Sequence, residues 1–191
     1  MKLLRSLRRA ALVAVIIFPA ACAASAPRPA PGAILAPFVP TPQDVVDRML
    51  KLAAVTKEDI VYDLGSGDGR IVISAARTYG ARGVGIDIDP ARIAESVMNA
   101  RTAGVGNLVQ FRHGDILTAD VSAATVVTLY LVSSANVKLR PLLAEQLRPG
   151  ARVVSHAFGM GDWAPAETDR FVDSQGDERV LYLWRVGRAS R

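Results

Sequence analysis

Val61-Tyr62-Asp63-Leu64-Gly65-Ser66-Gly67-Asp68-Gly69-Arg70 starts as an apolar strand, turns through three glycines at alternate positions and opens a helical pattern. A strand that runs through a glycine-rich turn into a helix is half of a parallel βαβ unit. Reading outward, the spacing predicts a strand over 59–64, a helix over 70–79 that stops at Gly80, and a second strand over 82–87. Pro90 then opens a helix that reaches about Arg101. Further strands are expected at 107–112, 125–132 and 151–158, with a helix kinked by Pro141 across 134–147. Upstream, Thr41-Pro42-Gln43-Asp44 reads as a helix start with Thr41 as N-cap, and Val45, Val46, Met49, Leu50 and Ala53 share one face. Strand-like runs at 167–174 and 178–186 are separated only by Gln175-Gly176-Asp177, which predicts a hairpin. The expected architecture is α/β: a three-layer sandwich around a mostly parallel seven-stranded sheet, finished by a C-terminal antiparallel hairpin.

The chain has 191 residues, half of them hydrophobic and 21% charged, which suits one domain with a core and excludes a disordered chain. A single cysteine excludes a disulfide framework. The net charge of +5 is concentrated at one end, because Lys2, Arg5, Arg8 and Arg9 precede the first acidic residue, Asp44. From Ala24 onward 19 basic residues face 18 acidic ones, so the charge gives no argument for a nucleic-acid partner. Residues 1–23 are cationic, then apolar over 10–18, then small, the layout of a signal peptide or, if retained, a membrane anchor. Cys22 after Ala20 and Ala21 resembles the lipidated cysteine of a bacterial lipoprotein, with an incidental cysteine as the alternative. Residues 24–40 carry five prolines among alanines and read as an extended linker to a domain spanning 41–191. The expected location is therefore exported or membrane-associated, with the N-terminal segment engaging membrane or export machinery.

In parallel sheets, ligands bind beyond the carboxyl ends of the strands. Three acids stand there. Asp63 lies two residues before a G-x-G-x-G loop, a spacing unlike the G-x-G-x-x-G of dinucleotide sites. Its charge suits a cationic ammonium and not a pyrophosphate, although the loop alone is also what a tight turn requires. Asp87, in Gly85-Ile86-Asp87-Ile88-Asp89-Pro90, can accept from both hydroxyls of a ribose, while Asp89 reads as the cap of the next helix. Asp115, in His113-Gly114-Asp115-Ile116, can accept from an adenine amine with Ile116 against the ring; its alternative is a carboxylate making a loop turn.

These residues resemble the class I, seven-β-strand S-adenosylmethionine-dependent methyltransferases, a Rossmann-like family, over about residues 38–186. Phe38-Val39-Pro40-Thr41 followed by Asp-Leu-Gly-Ser-Gly-Asp-Gly-Arg-Ile-Val-Ile at 63–73 is similar to the small protein-lysine methyltransferases. That branch includes the mitochondrial enzymes acting on the ATP synthase c-subunit and on the adenine nucleotide translocase. The resemblance implies S-adenosyl-L-methionine as cofactor, with Asp63, Gly65, Ser66, Gly67, Asp68 and Gly69 toward its methionine portion. It also implies Asp87 at the ribose, Ile88 as a further cofactor contact, Asp115 and Ile116 at the adenine, and an N-terminal loop folded over the cofactor with Thr41 near it. A lysine-bearing protein, membrane-associated in some relatives, is the implied partner.

For the acceptor side the sequence offers Tyr130, Ser133, Asn136 and His156, each with a plain alternative in the core, at a helix cap, in a first turn or within the sheet. The Asn-Pro-Pro-Tyr motif of adenine and glutamine-amide methylation is absent. With His113 and His156 the only histidines, no metal site is expected. Trp163, in a Gly-Met-Gly-Asp-Trp loop, either closes on a substrate or packs on the hairpin. Two other readings stay open: a small-molecule methyltransferase, and an exported adenosyl-ligand binding protein without catalysis.

Overall fold

The computed structural model describes residue 32 and residues 34–187. The N-terminal segment 1–23 with Cys22, and the start of the Pro/Ala-rich linker, lie outside the described residues. Eleven elements follow in chain order: α1 (Gln43–Leu52), β1 (Ile60–Leu64), α2 (Arg70–Tyr79), β2 (Arg82–Asp87), α3 (Pro90–Thr102), β3 (Val109–His113), β4 (Val126–Leu129), α4 (Ser133–Gln146), β5 (Arg152–His156), β6 (Glu167–Val172) and β7 (Glu178–Arg185). The strands form one sheet in the order β3-β2-β1-β4-β5-β7-β6. The first five are parallel, and β7 pairs antiparallel with both β5 and β6. The expected sandwich with its terminal hairpin is the fold observed.

Alternation along each strand divides the core between two faces. Val61, Val126, Val154, Leu181 and Leu183 pack against α1 and α2, together with Ala100 of α3. Tyr62, Leu64, Val127, Leu129, Val153 and Trp184 face the other way, against Ala135, Leu139 and Leu143 of α4. Among the described residues that second face carries one helix, and the segment with Ile116, Val121 and Ala124 adds to its cover. At the amino end of the sheet Arg152 pairs with Asp59, which also accepts from Thr125 Oγ1 at 2.6 Å and from the Thr56 N–H at 2.8 Å. Burial works to raise the Asp59 pKa, but these hydrogen bonds and the arginine hold it below the usual range. The cluster ties the starts of β1, β4 and β5 together and fixes where their carboxyl ends lie.

Several boundaries differ from the expectation for local reasons. Strand β4 ends at Leu129, not near Val132, because its last partners are Leu64 and Ser155 and β1 turns away just beyond Leu64. Tyr130 therefore leaves the sheet. Helix α4 runs from Ser133 to Gln146 with Pro141 inside it. Its N-cap is Val132, so neither Ser133 nor Ser134 caps it. Helix α1 starts one residue later than expected: Pro42 is the N-cap, and Thr41 is freed from capping. Asp89 does cap α3, accepting from the Ala91 N–H at 2.8 Å.

Leu139 is fully buried between α4 and the sheet. Truncating Leu139→Ala is expected to cost about 2–5 kcal/mol, read as a lower midpoint at unchanged slope in urea unfolding.

Candidate functional site

The strand order reverses between β1 and β4, and the loops after β1, β2, β3 and β4 converge on one cavity at the carboxyl edge of the sheet. Ten of the eleven residues read from the sequence as cofactor contacts line it: Thr41, Asp63, Gly65, Ser66, Gly67, Asp68, Asp87, Ile88, Asp115 and Ile116. Gly69 does not. It holds φ +82° as the N-cap of α2, and a Cβ there would meet Phe111 at 2.6 Å and Ser96 at 2.8 Å. It is a glycine for the turn and for packing beneath the loop, so the regular G-x-G-x-G spacing conceals two different jobs.

Asp63 is the most deeply placed of the acids, 2% exposed. Thr128 Oγ1 donates to its Oδ1 at 2.8 Å from the neighbouring strand, where Asp63 and Thr128 are in register. Burial pushes its pKa up to about 7; the Thr128 bond opposes this, and the charges of Asp87 and Asp68 add to it. Asp87 closes β2 and is held by its own loops, accepting from the Gly67 N–H at 2.8 Å and the Asp89 N–H at 2.9 Å. Asp115 accepts from the Leu117 N–H at 2.9 Å and the Gly32 N–H at 3.3 Å. It thus makes the loop turn offered as its alternative and still lines the cavity. Ser66 Oγ is buried with no hydrogen-bond partner among the described residues. The two arginines at the cavity are both paired, Arg70 with Asp68 and Arg92 with Glu95, and no lysine among the described residues lines it. The carboxylates leave the cavity with negative character suited to a cationic ligand.

Residues 34–40, read from composition as linker, form a strap along the cavity. Leu35 and Ala36 pack against the core, and the Phe38 ring lies against Gly67 so closely that a Cβ would collide with it. The Arg92 guanidinium stacks over the same ring, 4.5 Å from its centroid. Apolar Leu35 and Phe38 inside a Pro-rich stretch are the signal that could have revealed the strap.

On the acceptor side, Tyr130 lines the cavity and His156 does not. His156 is 1% exposed, packed behind Tyr130 with ring centroids 4.1 Å apart and the rings tilted by 34°. Neither of its nitrogens has a hydrogen-bond partner among the described residues, and burial lowers its pKa to about 4, so the ring is neutral. Arg179 lowers it too, against an opposing pull from Asp173. His156 thus stands behind Tyr130 and does not face the cavity. Asn136 is buried and donates to Ser155 Oγ at 3.1 Å and the Phe158 carbonyl at 3.0 Å, a structural brace. Trp163 packs on the hairpin, its carbonyl accepting from Trp184 Nε1 at 2.8 Å. No three-residue group of metal-ligating side chains occurs among the described residues.

Residues 63–167 match the model of the ANTKMT methyltransferase domain. A protein-lysine N-methyltransferase of Saccharolobus islandicus is 43% identical over 152 residues, 79% of this chain and 94% of that protein. The lysine N-methyltransferase of Xenopus laevis named for the ATP synthase c-subunit is 33% identical over 129 residues, 68% of this chain but only 56% of its own length. Among solved structures, an RNA methyltransferase from Salinibacter ruber in complex with S-adenosyl-L-homocysteine has 59% identity and a TM-score of 0.74, covering 80% of this chain and 97% of that one.

Asp63 makes a signed prediction for stability. Its carboxyl titrates near 3.8 when unfolded and about 7 when folded, so its contribution to stability is fully present below about pH 4 and lost as pH rises through 7. Asp63→Asn is expected to stabilise the free protein at pH 8, by about 4 kcal/mol at most, and to leave it unchanged near pH 3. Urea titrations at the two pH values check this.

Proposed function

The chain belongs to the ANTKMT methyltransferase-domain family, and from that premise we propose that it transfers a methyl group from S-adenosyl-L-methionine to a lysine amine of a protein. The observation that carries the reading is the cavity itself, where a deep unpaired carboxylate, a partnerless buried hydroxyl and two further carboxylates stand on successive strand ends. Those residues fit the cofactor. Asp63 would take the ammonium, which supplies the positive charge that the site lacks. Asp87, with one N–H already on each oxygen, keeps lone pairs for the two ribose hydroxyls. Asp115 would accept the adenine amine, and Ile88 and Ile116 supply apolar surface for the ring.

When bound, S-adenosylmethionine supplies a methyl group on a sulfonium centre, open to in-line attack by a neutral amine. The chain's part is orientation and exclusion of water. Asp63 and Asp115 would fix the two ends of the group, with Asp87 on the ribose between them. The strap would cover it, with Phe38 over the glycine loop. Tyr130 borders the cavity beyond β4, where an acceptor would enter, and its ring with the neutral His156 behind it gives an apolar wall. Desolvation against such a wall lowers the pKa of a lysine and favours its nucleophilic form.

A second acceptor class is raised by the Salinibacter ruber relative, which is described as an RNA methyltransferase. The near-balanced charge beyond residue 23 argues for protein instead, since RNA binding calls for clustered unpaired cations. We also propose that residues 1–23 direct the domain to export or to a membrane, as a cleaved, lipidated or retained segment. An anchor that keeps the domain inside gives the simplest cofactor supply.

Two measurements test this. Asp87→Ala is expected to weaken S-adenosylhomocysteine binding by about 1–3 kcal/mol in calorimetry, as for a lost charged hydrogen-bond partner. Labelled methyl transfer into membrane extracts is expected to leave protease-sensitive label that hydrolyses to methyl-lysine. Label removed by ribonuclease would favour the RNA acceptor.

A further inference from the structure

Arg70, the first residue of α2, uses three faces of its guanidinium on two different parts of the chain. Its Nε and Nη2 donate to the Asp68 carboxylate at 2.9 and 2.5 Å, and its Nη1 donates to the Thr41 carbonyl at 2.7 Å. Asp68 is itself fixed, because its carbonyl accepts from Asn99 Nδ2 at 3.0 Å on α3. Thr41 is the root of the strap, 4% exposed, just before α1 enters the core. The strap has a second attachment three residues earlier, where Phe38 sits between Gly67 and the Arg92 guanidinium. Both attachments join the strap to the glycine loop or to α3, and the residues between and before them line the cavity.

We infer that Arg70 is a positioning residue for the cofactor: it latches the strap to the glycine loop through Thr41 and Asp68, so that strap and loop close on the bound molecule as one unit. This rests on the reading of the cavity as the S-adenosylmethionine site. Arginine is required by geometry, since a planar fork can address a carboxylate and a carbonyl together and a lysine ammonium is a single point. Each latch acts through the same strap. Both draw the same short segment, Phe38 to Thr41, onto the glycine loop, so their effects on binding are coupled and not additive.

The test is calorimetric titration of the full chain with S-adenosylhomocysteine, in the parent, Arg70→Lys, Phe38→Ala and the double variant, with limited proteolysis of the strap alongside. Lysine keeps the charge beside Asp68, and Phe38 is 46% exposed, so both variants are chosen to keep the fold, checked by thermal melting. Each single variant is expected to weaken binding by about tenfold, and the double variant by little more than either, as for coupled neighbours. Strap cleavage is expected to be suppressed by ligand in the parent and to persist with ligand in Arg70→Lys. Unchanged affinity and protection in Arg70→Lys would overturn the inference. So would losses that multiply to about a hundredfold, the mark of independent sites. A folded parent that fails to bind overturns the cofactor reading on which the inference stands, and is told apart from the other outcomes by the parent titration alone.

Discussion

A carboxylate buried without a cation is the constraint around which this molecule is arranged. Asp63 lies at the carboxyl end of the central strand with one hydroxyl hydrogen bond and two other acids nearby, and its pKa of about 7 reflects that burial and crowding. Such a group is costly in a resting protein. The rest of the carboxyl edge works with it: the glycine loop approaches closely, Asp68 is neutralised by Arg70, and Asp87 is held rigidly by backbone N–H groups. The cavity thus keeps carboxylate oxygens available at the ends of three successive strands, with the deepest of them free of any cation. The amino-end cluster of Asp59 and Arg152 is the counterpart, a satisfied ion pair that aligns the strands and takes no part in binding.

The two faces of the sheet serve different ends. Helices α1 and α2 enclose one side, and α2 carries the glycine loop and Arg70 at its start. The opposite side is lighter, with α4 as its helix, and β4 there releases Tyr130 toward the cavity. Tyr130 thus joins the lining of a cavity whose other walls come from the loops after β1, β2 and β3 and from the strap. The strap adds a cover drawn from the segment that joins the domain to the cationic and apolar N-terminus.

The fold was legible wherever glycine and proline punctuate the pattern. Gly80 ends α2 in a left-handed cap, Pro90 opens α3, and the bounds of α2 and β2 agree with the reading. The acids were legible because a parallel sheet fixes where its loops lie. What periodicity does not encode was missed. The strap reads as linker because its attachments are long-range, Phe38 onto Gly67 and Thr41 onto Arg70. Gly69 reads like Gly67 because spacing does not distinguish a glycine facing a ligand from one facing Phe111. His156 reads as a site residue until the packing puts it behind Tyr130.

The most direct test of this account is proton release on binding. Calorimetric titration with S-adenosylhomocysteine at pH 6.5, in buffers of different ionisation enthalpy, counts the protons that leave as the ligand ammonium meets Asp63. The account predicts release of a substantial fraction of one proton, vanishing well above pH 8 and absent in any residual binding by Asp63→Asn. Tight binding with no proton release at pH 6.5 would contradict it, since the ammonium would then lie away from the one carboxylate poised to receive it.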